Sequence, residues 1–249
     1  MLQNAHFPSN GTTIHASRLA VTYNSWFEVV SADSPELLEQ AYRLRYQVYC
    51  REYNYEEPDE HPNYLETDEY DSRSVHSLLL DRIHDTIAGT VRLILPDPDA
   101  PSDSFPIQQI CNHPMLQDRR LLLTSTAAEV SRFAVSKSFR KELRESPHIG
   151  TSRRVGESVE SRIMRSAIPL GLMKATLHMS FEHGITDWFA VMEPSLLRLL
   201  SRFGIYFKPI GPLVEYHGLR QPCHANVADL LERVRQECPE VWKYVTNDY

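Results

Sequence analysis

The sequence predicts an α/β fold in which a mixed, mostly antiparallel sheet carries helices on both faces. Segments with the period of strands alternate with segments of helical period, in the order strand, helix, three strands, helix, strand, helix, strand. No internal repeat or low-complexity linker interrupts this order. We therefore expect a loose tail at residues 1–25 and a single domain at residues 26–249.

The first half of the domain contains a strand, a helix and a hairpin. Residues 26–31 form the strand, and a serine followed by proline then marks the start of the helix. Residues 51–71 are acidic, rich in tyrosine and without a period, which indicates an irregular loop. Residues 74–82 and 87–95 are apolar and flank a short polar turn, so they predict an antiparallel hairpin.

The second half alternates strands with helices. Strands are predicted at 127–136, 187–192 and 206–216, and helices at 156–183, 194–203 and 227–237. Pro169 must kink the first of these helices or begin its second half, because proline lacks the N–H that an interior turn needs. Two prolines interrupt the last strand, so we expect it to be irregular.

The composition is that of an ordinary globular protein. Hydrophobic residues make up 42% of the chain and charged residues 24%, and the net charge of -7 repels nucleic acid phosphates. The first residues do not resemble a secretory signal, and no apolar run approaches the roughly 18 residues of a membrane span. The four cysteines form no CxxC pair, which indicates reduced thiols. We expect a cytoplasmic protein without a nucleic acid partner, a metal or an integral membrane segment.

Six charged residues stand inside or beside apolar elements, where an unpaired charge is costly. They are Arg45, Asp68, Asp71, Arg92, Glu129 and Arg132. Three arginines and three carboxylates neutralise one another if the fold gathers them, and we predict that they converge around one opening. The alternative is that each faces solvent on an amphipathic element.

The spacing of these residues resembles the acyl-homoserine-lactone synthase family. That family keeps an arginine followed by an aromatic residue, a D-x-x-D, an arginine in the third strand and an E-x-x-R in the fourth. The corresponding residues here are Arg45, Tyr49, Asp68, Asp71, Arg92, Glu129 and Arg132. Two positions depart from the family, because Tyr49 and Tyr55 replace its usual phenylalanine and tryptophan.

A longer resemblance, from residue 26 onwards, is to the PEP-CTERM/exosortase-system-associated acyltransferases and the related N-acyl amino acid synthases. It is carried by AEVSRFAVS, PLGLMKATLHMSFEHGITDWFAVMEPSLLRLLSRFGI and FKPIGPLVEYHGLRQPC. It implies a GNAT fold with the acyl donor in a V-shaped opening between strands four and five, here residues 127–136 and 187–192. The resemblance also implies that Arg45, Tyr49, Asp68, Asp71, Arg92 and Phe133 bind the substrate and that Val135 contacts the donor.

The stretch after the fourth strand bears on the identity of the donor. The glycine-rich pattern that typically cradles pyrophosphate in GNAT proteins is absent, and residues 137–156 are basic instead. Such a patch on an acidic protein suits an acidic carrier protein, with Arg153 or Arg154 near the phosphopantetheine phosphate. This favours acyl carrier protein over coenzyme A as the carrier of the acyl thioester. A solvated loop is the alternative, and no permanently bound cofactor is expected.

Thioester aminolysis needs a base for the attacking amine, and Glu129 is the candidate. Arg132 would hold the charge of Glu129 or the neighbouring carboxylates in place. On a regular strand these two side chains would face opposite sides, because they are three residues apart. We therefore predict a β-bulge within residues 129–133, which turns both toward the opening and frees a backbone N–H for the oxyanion.

Other residues are weaker candidates for chemistry. Tyr70 and Tyr216 are possible proton donors to the leaving thiolate, although a tyrosine is as readily a core residue. Cys50 and Cys111 are disfavoured as acyl-enzyme nucleophiles, because neither has a histidine beside it in sequence.

The leading hypothesis is an N-acyltransferase that moves a fatty acyl group from an acyl carrier protein or coenzyme A thioester to the amine of a small molecule, such as an amino acid. The first alternative is an acyl-homoserine-lactone synthase, which would consume S-adenosylmethionine. The second is a non-catalytic acyl-binding module.

Overall fold

A computed structural model describes residues 23–118, 126–145 and 159–246. Its strands, numbered in chain order, are β1 Phe27–Ser31, β2 Ser74–Asp81, β3 Thr86–Ile94, β4 Ala127–Val135, β5 Asp187–Met192, β6 Lys208–Pro209, β7 Val214–Glu215 and β8 Leu219–Asn226. Its α-helices are α1 Pro35–Tyr46, α2 Ile107–Ile110, α3 Lys137–Glu145, α4 Val159–Glu182, α5 Pro194–Ser201, α6 Val227–Glu237 and α7 Pro239–Val245.

The strands form one open mixed sheet in the order β1-β2-β3-β4-β5-β8-β6, with β7 beside β8. Every pair is antiparallel except β4 with β5, which run parallel. Helices cover both faces: Leu78 of β2 packs with Ala41 of α1, whereas the next residue, Leu79, packs in the main core with Met173 of α4. The predicted mixed sheet with helices on both faces is confirmed.

Local sequence explains where α1 begins and how it continues. The Ser34 hydroxyl accepts the N–H of Leu37, and Pro35 occupies the first helical turn. The helix passes directly into a π-helical segment, Gln47–Glu52, which no sequence pattern predicted. The widened turn lies beside the site described below, a common place for π-helical geometry.

Pro169 stands inside α4, and a tyrosine hydroxyl compensates for the break that it makes. The Tyr23 hydroxyl donates to the Ile168 carbonyl and accepts the Gly171 N–H, both at 3.1 Å. Gly171 is needed there because a Cβ would collide with this hydroxyl. Tyr23 is fully buried, and its ring centroid lies 4.6 Å from that of Tyr244.

Strands β3 and β4 approach each other closely at Gly89. A Cβ at this position would lie 2.8 Å from the Ala134 carbonyl oxygen, a distance that real Cβ atoms do not adopt. The glycine therefore allows the normal spacing of the two strands.

The structure corrects the sequence predictions at several points. Residues 206–216 contain only the short strands β6 and β7, because proline removes ladder donors from this stretch. The strand that pairs along the whole of β5 is β8, which was not predicted. The basic stretch after β4 begins as the helix α3 and not as a loop. Tyr23, assigned to a loose tail, is buried, whereas residues 1–22 of that tail lie outside the described part of the chain.

The sequence predicted no membrane-spanning segment. Within the described ranges, no helix is both long and apolar enough to cross a bilayer.

Candidate active site

The parallel strands β4 and β5 diverge and leave a cleft between them. Their pairing runs from Ala127 with Asp187 to Val130 with Ala190, where it ends. Beyond that point a cavity of about 310 Å³ opens between the strands. About half of its lining residues are apolar, among them Val48, Phe133, Val135, Val191, Met192, Leu196 and Leu199. This is the V-shaped opening that the family resemblance implied.

A second, more polar cavity of about 100 Å³ adjoins the cleft. The two cavities share the lining residues Tyr49, Val130, Ser131, Arg132, Val191 and Arg220. Four of the predicted charged residues line the polar cavity, namely Asp68, Arg92, Glu129 and Arg132. An apolar cleft therefore leads directly to a pocket with acids and bases on its walls.

A β-bulge shapes the wall that both cavities share. Thr90 of β3 pairs with Ala134 and Arg92 pairs with Ser131, so β4 has one more residue than β3 across this interval. Arg132 lies in the bulge and has a positive φ of 48°. Glu129 and Arg132 both line the polar cavity, so the predicted bulge and its effect on the two side chains are confirmed.

Arg45 lies behind the polar cavity at the centre of an ion-pair network. Its guanidinium is fully buried and donates to Glu66 and, through two nitrogens, to both carboxylate oxygens of Asp71. Burial opposes ionisation of Asp71, but hydrogen bonds and charge from Arg45, with the charge of Arg92, lower the pKa of Asp71 to about 2. Arg45 thus supports the pocket from behind.

Arg92 and Arg132 continue this network to the pocket wall. Arg92 donates to Asp68 and Asp71, and its Nε donates to the Ser131 hydroxyl at 2.9 Å. Arg132 donates to Glu66 at 2.7 Å and to Asp68 at 3.1 Å, and it also pairs with Glu56. These contacts join five of the six predicted residues to two further acids, Glu66 and Glu56, and Glu129 lies near them on the wall of the polar cavity.

Arg132 therefore orders the neighbouring carboxylates, because its ion-pair partners among the described residues are Glu56, Glu66 and Asp68 and do not include Glu129. Burial acts against charge at Glu66, but the guanidinium groups of Arg132 and Arg45 outweigh burial and hold the pKa of Glu66 well below its usual range. The same pairing, again opposed by burial, raises the pKa of Arg132 above its ordinary value. Both groups are therefore charged at neutral pH.

Glu129 differs from the other acids of the site. Its side chain is 3% exposed, and Oε2 accepts the N–H of Ile107 at 2.9 Å. Burial raises the pKa of Glu129 from the ordinary 4.5 to about 7, although the Ile107 N–H and the charges of Arg92 and Arg132 act in the opposite direction. A carboxyl that titrates near neutral pH suits a general base.

The remaining predicted residues occupy different places. Tyr49 lines both cavities, and its ring lies 4.9 Å below the Arg132 guanidinium. Phe133, predicted to bind the substrate, and Val135, predicted to contact the donor, both line the larger cleft. The predicted donor contacts Arg153 and Arg154 lie outside the described residues.

The secondary candidates also have defined positions. Tyr70 and Tyr216 both line the polar cavity, and burial raises the pKa of Tyr70 to about 12 and that of Tyr216 above its ordinary value. Cys50 and Cys111 are buried, and burial raises the pKa of each thiol, which makes a reactive thiolate unfavourable. Across the described ranges, no group of His, Cys, Asp and Glu is arranged to hold a metal ion.

Sequence reasoning missed Glu66, Glu56 and Arg220. Glu66 is 1% exposed and bonds two of the three network arginines. It stands in an irregular acidic stretch whose lack of period hides which acids are buried. Arg220 was hidden in the unpredicted strand β8.

The start of the basic stretch is tied to the π-helical segment. The Glu52 carboxylate accepts the Lys137 N–H at 2.7 Å and the Ser136 hydroxyl at 2.9 Å, so it holds the first turn of α3. The Arg140 guanidinium donates to the Tyr53 hydroxyl at 3.0 Å and lines the cleft. Positive charge therefore stands at the mouth of the apolar cleft.

Comparisons with known proteins agree with one another on the fold of this chain. Residues 44–146 match the acetyltransferase (GNAT) domain family. TofI, solved in a ternary complex with an inhibitor and MTA, is 19% identical with a TM-score of 0.56, over 84% of this chain and 96% of that chain. No curated protein matches the chain in sequence at a significant level.

Two further structures share the architecture. BjaI, a CoA-dependent acyl-homoserine lactone synthase solved with MTA, is 23% identical with a TM-score of 0.52, over 85% of this chain and 88% of that chain. FeeM, an N-acyl amino acid synthase from uncultured soil microbes, is 16% identical with a TM-score of 0.50, over 83% of this chain and 94% of that chain. The chain therefore has a GNAT-like α/β fold, shared with acyl-homoserine lactone synthases and an N-acyl amino acid synthase.

Proposed function

We propose that the protein is an N-acyltransferase that moves a fatty acyl group from a phosphopantetheine thioester to the amine of a small molecule, specifically an amino acid. The observation that carries this proposal is the junction of the two cavities. An apolar cleft of about 310 Å³ opens into a polar pocket whose wall holds Glu129, with a pKa of about 7. Acyl chain and amine would meet at that junction.

The chemistry follows from what aminolysis requires. The amine nitrogen attacks the thioester carbonyl carbon while Glu129 takes a proton from the nitrogen, directly or through one water. The backbone N–H groups of the bulge around Arg132 would bind the oxyanion that forms. The C–S bond then breaks, the carbonyl reforms as an amide, and the thiolate leaves with a proton. Tyr216 and Tyr70 are the candidate donors of that proton.

The size of the polar pocket supports a small acceptor. A volume of about 100 Å³ corresponds to roughly three waters, at about 30 Å³ per water in the liquid. A small amine fits this space better than S-adenosylmethionine, which carries an adenosyl group as well. The alternative function, acyl-homoserine-lactone synthesis, is supported by the similarity to BjaI, which was solved with MTA and with SAM and isopentyl-CoA.

The purified protein should be incubated with long-chain acyl thioesters and a mixture of amino acids, and the products identified by mass spectrometry. We expect N-acyl amino acids and free carrier thiol without consumption of S-adenosylmethionine. Formation of 5′-methylthioadenosine would instead identify a lactone synthase. Acyl thioester that binds and is never consumed would identify a non-catalytic acyl-binding module.

The carrier is proposed to be acyl carrier protein, with coenzyme A as the alternative. Lys137, Arg140 and Lys141 begin the basic stretch, and Arg153 and Arg154 continue it. Reversal of the last two to glutamate should raise the KM for acyl carrier thioester, and the parent enzyme should lose affinity as salt rises. Equal kinetics in parent and double variant would remove this patch from the proposal.

Two further parts of the proposal concern the system with which the enzyme is associated and its location in the cell. The resemblance over residues 128–136 and the C-terminal half supports an association with PEP-CTERM/exosortase systems. A cytoplasmic location would place the enzyme with its thioester donors.

A further inference from the structure

Arg220 of β8 occupies the junction of the two cavities. It lines both the apolar cleft and the polar pocket. Its side chain is 13% exposed, and its guanidinium carbon lies 5.3 Å from the centroid of the Tyr55 ring. An arginine held by an aromatic ring at the proposed reaction point is placed to contact a bound substrate.

Arg220 has fewer ion-pair partners than the other arginines of the pocket. Arg92 and Arg132 are each paired with two or more carboxylates inside the network. In the described part of the chain, the ion partner of Arg220 is Glu193, at 3.3 Å, and that carboxylate is 44% exposed. A pair of this kind with a solvated acid contributes little and is exchanged easily.

If the ligand is an amino acid, the pocket also needs an arginine or another cation that is free to bind the ligand carboxylate. The acids of the wall suit an ammonium group, and Glu129 lies among them. The carboxylate of the same ligand needs a cation that is not already neutralised, and a guanidinium offers a planar fork that matches a carboxylate with two hydrogen bonds.

We propose that Arg220 binds the carboxylate of the acceptor and so selects amines that carry a carboxylate over simple amines. This inference rests on the proposed function and extends it by naming the residue that recognises the acceptor. On binding, Arg220 exchanges the solvated Glu193 for the substrate carboxylate.

The test is a competition in one reaction between the standard amino acids and an equimolar mixture of their primary amides, with the two product classes quantified by mass spectrometry. We expect the parent enzyme to favour the amino acids by about tenfold or more. Arg220→Met should lower this preference by about 10- to 100-fold, the range for charge-assisted hydrogen bonds. Arg220→Lys should fall between the two, because it keeps the charge and loses the fork.

Glu193→Gln is the matched control, since it removes the competing acid and leaves Arg220 in place. It should raise the preference for amino acids by up to about fivefold, the worth of an exposed pair. Equal preferences in the parent and the Met variant would overturn the inference, and so would a lower preference in the Gln variant. Failure to form any acyl amide would reject the proposed function itself, whereas amides formed without preference for a carboxylate would reject only the role of Arg220.

Discussion

Glu129→Gln should separate catalysis from stability, because the same burial that tunes the carboxyl also destabilises its charged form. Glutamine keeps an oxygen that can accept the Ile107 N–H now bound by the carboxylate. It cannot take a proton from the amine, so kcat should fall by about two to four orders of magnitude, the usual contribution of a positioned base. Binding of the acyl donor should be unchanged.

The magnitude of the stability effect follows from the pKa. The difference between about 7 in the folded protein and the ordinary 4.5 corresponds to about 3 kcal/mol. Because the folded pKa is raised, this penalty is absent below pH 4.5, grows as the pH rises toward 7, and is fully present above it. The Gln variant does not ionise, so at pH 8 it should be more stable than the parent by about 3 kcal/mol, and at pH 5 by less than about 1 kcal/mol.

Two assays test these effects together. Urea unfolding at pH 5 and pH 8 measures the stability difference, and the pH profile of kcat/KM measures the base. The parent profile should rise through about pH 7, as Glu129 loses its proton. The inflection near pH 7 should be absent from the Gln variant, although the rise from deprotonation of the acceptor amine remains. Turnover close to that of the parent would show that the base lies elsewhere, and equal stabilities at pH 8 would show that burial does not raise the pKa of Glu129.

Three further predictions concern the scaffold and are all measured by urea unfolding. Arg45→Met leaves buried carboxylates without their cation and should cost about 3–5 kcal/mol, and a loss below about 1 kcal/mol would mean that water compensates for the missing charge. Tyr23→Phe removes the hydroxyl that bridges the proline break and should cost about 1–3 kcal/mol, so a neutral variant would contradict that role. Gly89→Ala pushes β3 away from the Ala134 carbonyl and should lower the free energy of unfolding by about 1–3 kcal/mol. An unchanged free energy of unfolding would mean that the two strands move apart without cost.

The parts of the site that could be predicted are those where a residue conflicts with the pattern around it, such as a charged residue in an apolar strand. The arginines in apolar strands, Arg92 and Arg132, had to be paired with carboxylates, and they are. Glu129 and Arg132 could share a site only if β4 departed from regular alternation, and the bulge provides this departure. Both inferences used the two-residue period of a strand, which is a strong local signal.

The other residues of the site had no periodic pattern in the sequence to indicate them. Glu66 lies in an irregular segment, where burial depends on contacts with distant residues and leaves no periodic pattern. Arg220 lies on β8, a strand that contains Pro222 and alternates poorly, so neither the strand nor its contact with the cleft was evident. Glu66 is held by ion pairs with distant arginines and Arg220 by the long-range pairing of its strand β8 with β5, and local sequence patterns show neither.

The contact between Tyr23 and Tyr244 has a consequence for how the protein is made. Residues at opposite ends of the described chain complete one core, so that core cannot close until residue 244 has left the ribosome. At about 5–20 residues per second, the interval between the two tyrosines is roughly 10 to 45 seconds. Until α4 has been synthesised, the hairpin of β2 and β3 exposes the face that this helix covers. Nascent chains should therefore depend on chaperones, and overexpression without them should increase aggregation.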